Sequence, residues 1–271
     1  MLATRIITAV ILGGTITVTV LFLPTAVAAG VFGVLWLAGA WEWAALARLK
    51  AGPRAAYVGL VLACMLLALL VLAHTAAMLA VAVAVAVAVA AIWWVVALLA
   101  VVSYPRTFST TTVAVSGFLV LLPSWGILSY LHATEPLGRQ LTLTVLVIVW
   151  AADIGAYAAG RWLGRVKLAP KVSPGKTWEG VTGGVLLAAA AAWAAATLLG
   201  LPAGPLIALG VATALVSVVG DLTVSMFKRN VGLKDSGTLL PGHGGVMDRI
   251  DSLTAAVPFF ALGLKLAGLL G

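Results

Sequence analysis

Between Ile6 and Leu270 the chain falls into nine apolar stretches, each about 20 residues long and separated by polar, glycine or proline breaks. A helix rising 1.5 Å per residue needs about that length to cross the hydrocarbon of a bilayer. The pattern predicts helices over residues 6–23, 26–46, 55–73, 76–101, 112–131, 141–160, 180–199, 204–224 and 253–270. The run Ala80 to Ala90 alternates alanine and valine with the period of a strand. A lone strand in lipid leaves its backbone unpaired, so a helix is expected there too. Composition agrees: 63% of the 271 residues are hydrophobic and 9% charged, with a mean hydropathy of +1.18. The expected fold class is therefore all-α, a polytopic integral membrane helical bundle of about nine transmembrane helices forming one domain over residues 1–271.

Charge tests this division. With nine spans, Arg5, Arg48, Lys50, Arg54, Arg106, Arg161, Arg165, Lys167, Lys171, Lys176, Lys228, Arg229, Lys234 and Arg249 fall on the side of the N-terminus, against Arg139 and Lys265 elsewhere. Fourteen basic residues against two is a positive-inside asymmetry, and it places the N-terminus and both long polar loops in the cytoplasm. The net charge of +8 is then explained by topology, and nucleic acid is not expected as a partner. Arg5 and the apolar run after it are read as a retained first helix, because no small-residue cleavage site leads into a polar mature domain. Cys64, the single cysteine, lies in an apolar run and is expected to be a buried, inert thiol. Trp41, Trp43, Trp93 and Trp94 lie near span ends or along spans, as interfacial anchors or packing residues do. No internal repeat relates the two halves, which disfavours an inverted-repeat transporter.

Residues 153–251 hold fifteen of the twenty-four charged side chains, so chemistry is expected there. Asp153 lies in the sixth span, eight residues before Arg161, or roughly 12 Å below the helix end. Carboxylates at that depth face protein or water. They either pair with a neighbour or sit beside a cation or nucleotide. Tyr157 shares the face of Asp153, and Gly155 and Gly160 permit close helix approach. The loop from Gly164 to Gly180 gathers Arg165, Lys167, Lys171 and Lys176 with Ser173 and Thr177 just ahead of a helix start. Such a loop can bind anions or simply orient the chain. Gly175-Lys176-Thr177 is not the end of a P-loop, because Pro170 stands where the first glycine belongs and no strand is expected before it.

From Gly220 to Ser252 the chain carries Asp221, Ser225, Lys228 and Arg229 at helical spacing, then Gly242-His243-Gly244-Gly245, then Asp248 and Asp251 flanking Arg249. Hard cations such as Mg²⁺ take one or two carboxylates plus substrate phosphates, and Asp221 and Asp248 are the natural pair. The surrounding lysines and arginines suit polyphosphate and the charge that develops at a transferred phosphorus. The glycines allow backbone N–H groups to approach an anion.

This last segment resembles the signature of the phosphatidate cytidylyltransferase (CDP-diacylglycerol synthase) family. The pattern is Ser-x-x-Lys-Arg, four residues, Lys-Asp-x-Gly, then Pro-Gly-His-Gly-Gly-x-x-Asp-Arg-x-Asp. It is met by Ser225, Lys228, Arg229, Lys234, Asp235, Gly237, Pro241, Gly242, His243, Gly244, Gly245, Asp248, Arg249 and Asp251. The stretches Ala152 to Tyr157 and Lys171 to Gly180 also look like family segments, as does Trp41-Glu42-Trp43. Gly175, where the family often has a second lysine, and Ile154, often threonine, depart from it.

The resemblance implies transfer of CMP from CTP to phosphatidic acid, giving CDP-diacylglycerol and pyrophosphate, with Mg²⁺ and room for a second cation. It implies a catalytic group of Asp221, Asp248, Lys228 and Arg229, with metal held by Asp221, Asp248 and Asp251. Asp153, Lys167, Lys171, Ser173, Lys176, Thr177, Ser225, Lys234, His243, Gly244, Gly245 and Arg249 are expected to bind substrate. Residues 1–140 are then scaffold and lipid-facing helices, and 141–271 the catalytic half. The expected setting is the cell (inner) membrane, with the active site toward the cytoplasm and membrane lipid all around. A homodimer is also an expectation. The rival readings are an ion or phosphate transporter using Asp153 as a relay, and a related nucleotidyltransferase or kinase acting on another lipid.

Overall fold

A computed structural model describes residues 2–72, 76–239 and 244–270. The described residues form helices α1 (Leu2–Phe22), α2 (Thr25–Leu46), α3 (Ala51–Leu72), α4 (Ala76–Val102), α5 (Thr110–Ala133) and α6 (Gly138–Trp162). A hairpin of β1 (Lys167–Ala169) and β2 (Ser173–Thr177) follows, then α7 (Trp178–Leu199), α8 (Ala203–Asn230) and α9 (Met247–Leu266). Every expected span corresponds to one helix. By length and composition seven of them, α2 to α8, are apolar enough to cross a membrane, so the chain is an integral membrane protein. In α1 the stretch Val10–Phe22 is a shorter apolar helix, and α9 opens with the charged Asp248, Arg249 and Asp251. The alternating segment of alanine and valine is helical, as the backbone argument requires.

Side-chain bonds between connections fix the alternation of helix direction. Arg48, between α2 and α3, donates to the carbonyl of Asn230 (2.7 Å). The Asn230 side chain exchanges two bonds with the backbone of Phe108, between α4 and α5. Arg229 reaches the carbonyl of Val172 in the hairpin (3.1 Å). Four connections therefore meet at one end of the bundle, the end rich in lysine and arginine. At the other end His132 bonds Thr25 and the carbonyl of Val20, and Arg139 donates to that of Leu21.

Between membrane helices, lipid removes most of the hydrophobic drive, and packing and polar bonds hold the bundle. Three indoles illustrate this: Trp36 donates to Ser124, Trp43 to the Val113 carbonyl and Trp125 to the Ala29 carbonyl. Trp43, Phe227 and Phe108 stack edge to face in sequence, with centroids 5.4 and 5.3 Å apart. Trp43 is thus a core residue, whereas Trp41 is exposed under the guanidinium of Arg54. Cys64 is half-buried beside an apolar crevice between α3, α4 and α5. The outward faces of α3 and α4, with Leu66, Leu67, Val81, Val85 and Ile92, are exposed as lipid-facing surfaces should be.

The segment 164–180, expected as a loop, is instead mostly the antiparallel hairpin, with Lys167 opposite Thr177 and Ala169 opposite Ser173. Strands of three and five residues containing Pro174 and Gly175 are too short for sequence periodicity to reveal. Glu179 fastens the hairpin to α7 by accepting the N–H of Val166.

Candidate active site

The polar elements enclose a pocket of about 420 Å³ at the basic end of the bundle, between α6, β2, α7, α8 and α9. Glycine makes this geometry possible. A side chain on Gly155 of α6 would run into the backbone of Gly183 of α7, and one on Gly184 into the carbonyl of Ala152. The helices close up along this seam, which brings Asp153 and Tyr157 against the start of α7. Thr177 caps α7 by accepting the N–H of Gly180 (3.1 Å). Gly175-Lys176-Thr177 therefore ends a strand and begins a helix; no phosphate-wrapping loop is formed there.

Helix α8 continues well past residue 224, so Asp221, Ser225 and Lys228 do share a face. Ser225 donates to Asp221 Oδ1 (3.1 Å). Lys176 reaches from β2 to Asp221 Oδ2 at 2.6 Å, with about a quarter of each side chain exposed. Lys228 donates to Asp248 Oδ1 at 2.7 Å in a pair that is more than nine-tenths buried. The N–H groups of Ser236 and Gly245 both donate to Asp248 Oδ2 (2.9 and 3.1 Å). Asp248 stands in the first turn of α9, ahead of the apolar run from Leu253. Burial pushes its carboxyl up, but the bond and charge of Lys228 and the two backbone donors outweigh that and hold it below the usual carboxylate range.

The pocket wall brings together Asp153, Lys176, Thr177, Asp221, Lys228, Asp248, Arg249 and Asp251 of the expected residues. Gly245 and Ser225 act behind it, through their bonds to Asp248 and Asp221, and Gly244 lies against Asp248 with a positive φ of 77°. Others lie off the wall. Lys167, Lys171 and Lys234 are exposed, and Ser173 belongs to the hairpin. Arg229, expected in the catalytic group, turns away: its guanidinium is spent on the carbonyls of Val172 and Leu233, and it lines a separate cleft with Arg106. His243 lies outside the described residues.

Two acidic residues were not singled out from sequence. Asp235 lines the pocket, and its place in the Lys-Asp-x-Gly motif was the available signal. Glu42 of α2, only 3% exposed, accepts bonds from Ser236, Val246 and Met247. Its only sequence signal was the Trp-Glu-Trp resemblance.

Among the described residues, no group of three or more acidic, histidine or cysteine side chains is drawn together as a metal cage. Asp221, Asp248 and Asp251 do not form one by themselves; Asp221 pairs with Lys176 and Asp248 with Lys228. The donor set of the pocket is all oxygen and nitrogen, with carboxylates in the majority. Five carboxylates (Asp153, Asp221, Asp235, Asp248 and Asp251) face three cationic side chains (Lys176, Lys228 and Arg249). Asp153, Asp221 and Asp251 repel one another. A hard cation, which takes carboxylate oxygens as ligands, fits this donor set.

The chain belongs to the cytidylyltransferase family, whose sequence model matches residues 3–267. Among curated proteins it is similar to a phosphatidate cytidylyltransferase of Pseudomonas aeruginosa, 43% identical over 99% of this chain and 98% of that one. A phosphatidate cytidylyltransferase of Haemophilus influenzae is 50% identical over 62% of this chain and 64% of its own length. One from Brucella suis is 47% identical over half of each.

Proposed function

We propose that this chain transfers the CMP group of CTP to phosphatidic acid, forming CDP-diacylglycerol and pyrophosphate. The observation that carries the reading is the pocket itself: acidic and basic side chains interleaved at the end of a lipid-embedded bundle, in a chain 43% identical along its length to a phosphatidate cytidylyltransferase. An oxygen of the lipid phosphate attacks the α-phosphorus of CTP, the bond from that phosphorus to the β-bridging oxygen breaks, and pyrophosphate leaves. The lipid phosphate is already an anion at neutral pH, so no strong general base is needed. Alignment and charge neutralisation do the catalysis.

Asp221 and Asp248 are the residues that would hold Mg²⁺, supported by Asp251 and Asp153, and the ion would supply neutralisation of phosphate charge. Lys176 is paired to Asp221 only at a partly exposed site, which suits exchange of that partner for a phosphate oxygen. Lys228, anchored by Asp248, would present a fixed positive charge. Arg249 lines both this pocket and an apolar crevice with Trp36 and Trp150, a position suited to the lipid phosphate.

The positive-inside distribution supports a pocket on the cytoplasmic side, and the proposed setting is the cell (inner) membrane. The test is incubation of the purified chain with cytidine-labelled CTP, phosphatidic acid and Mg²⁺. A lipid-soluble cytidine product with one pyrophosphate released per turnover is expected; transport of solute without nucleotide consumption, or product only with another lipid acceptor, would contradict the reading.

A further inference from the structure

Glu42 lies on α2, in the half of the chain expected to be scaffold, yet it is bonded to the segment that carries the active-site carboxylates. Its Oε2 accepts from the Ser236 hydroxyl (2.7 Å) and the Met247 N–H (2.8 Å), and its Oε1 from the Val246 N–H (3.0 Å). Ser236 lies within the connection that follows α8, and Val246 and Met247 lie at the start of α9, so one carboxylate ties that connection to the start of α9. Helix α9 has no side-chain cap of its own. Glu42 supplies one from another helix, with its negative charge at the positive end of the α9 dipole.

Glycine is required around this carboxylate. A side chain on Gly237 or Gly245 would strike the Glu42 oxygens. Ser236 is shared, giving its hydroxyl to Glu42 and its N–H to Asp248 Oδ2. Gly245 gives its N–H to Asp248 one residue before Val246 gives its own to Glu42. The two carboxylates thus share Ser236 and bind neighbouring N–H groups at residues 245–247, and Asp248 in turn holds Lys228.

We propose that Glu42 is a positioning residue, which sets the backbone at Ser236 and at residues 245–247 and through it the placement of the Lys228–Asp248 pair in the pocket. A carboxylate buried to this degree is costly unless it is bonded, and its three donors here are the Ser236 hydroxyl and the N–H groups of Val246 and Met247, beside Asp248. The inference rests on the cytidylyl-transfer reading above.

The test compares Glu42→Gln, Glu42→Ala, Ser236→Ala and the Glu42→Gln/Ser236→Ala double variant in purified full chain, with rates normalised to the folded fraction. Glu42→Gln keeps the volume but turns an amide NH2 toward one set of donors. It should lower kcat by about 100-fold, the scale of a misplaced catalytic group, while KM for phosphatidic acid stays within about twofold of wild type, and Glu42→Ala should fall further. Ser236→Ala should lose less, on the order of fivefold for one hydrogen bond. The double variant should be no slower than Glu42→Gln alone, because the two residues act as one unit. Wild-type kcat in the folded fraction of Glu42→Gln, or losses that multiply in the double variant, would overturn the proposal. Failure of the wild-type chain to make a lipid-soluble cytidine product would instead overturn the reading of function.

Discussion

Asp221 and Asp248 both hold lysines, but in settings that predict different behaviour on substitution. Asp248→Asn leaves Lys228 buried without its counter-charge, and breaking such a pair costs about 3–5 kcal/mol. We predict a large loss of thermal stability together with loss of turnover. Asp221→Asn disturbs a partly exposed pair, so the protein should keep a melting temperature within a few degrees of wild type while turnover is lost. Equal stability losses in the two variants would count against this distinction. On the proposed reading, Lys176→Met removes one charge-assisted bond to the incoming phosphate, worth about 1.5–3 kcal/mol. It should raise KM for CTP on the order of tenfold or more and leave KM for phosphatidic acid unchanged, as initial-rate kinetics would show. Motif spacing picked out Asp221, Lys228, Asp248 and Asp251, and depth in an apolar span picked out Asp153; all five line the pocket. Spacing could not say which cation meets which carboxylate, because Lys176 and Asp221 are far apart in the chain and meet only through the hairpin. Arg229 matched the motif as well as Lys228 did, yet the next position on a helix points about 100° away, and there it finds carbonyls.

At the scale of elements, the nine apolar stretches translated into helices because lipid leaves the backbone few alternatives. Two boundaries moved for a common reason. Helix α8 runs on to Asn230 and α9 begins at Met247, since polar residues at a membrane end break hydropathy without breaking a helix. The hairpin escaped notice because its strands are too short to show a period. The seam between α6 and α7 gives a sharper test. A side chain on Gly183 would meet Ala159 and the Gly155 carbonyl, whereas one on Gly59 of α3 meets nothing within 4 Å. Gly183→Leu should destabilise the protein by about 1–3 kcal/mol through overpacking and reduce activity by displacing Asp153. Gly59→Ala should be neutral or slightly stabilising. Melting curves in detergent with parallel activity assays would check both.

For the whole molecule, the charge asymmetry read from sequence and the bonds joining alternate connections describe the same topology. In a Cys64→Ala background, Lys171→Cys and Arg48→Cys should react with an impermeant thiol reagent from one side of the membrane, and Glu135→Cys from the other. Labelling of Lys171→Cys and Glu135→Cys from the same side would break the topology. Glu42 joins α2 to the segment bearing Asp248 across roughly two hundred residues of chain. Contacts at that separation leave no periodic or local mark in a sequence.

The central claim is that the α-phosphoryl of the nucleotide, with its cytidine, is joined to a lipid phosphate in the pocket of Asp221 and Asp248. It is tested most directly by giving purified chain CTP labelled at either the α- or the γ-phosphate, with phosphatidic acid and Mg²⁺, beside the Asp221→Asn variant and a chelator control. The account predicts α-label in the lipid phase with wild type alone, γ-label released as pyrophosphate, and no transfer by the variant or without the divalent cation. Appearance of γ-label in the lipid would mean a kinase, and undiminished transfer by Asp221→Asn would place the chemistry elsewhere.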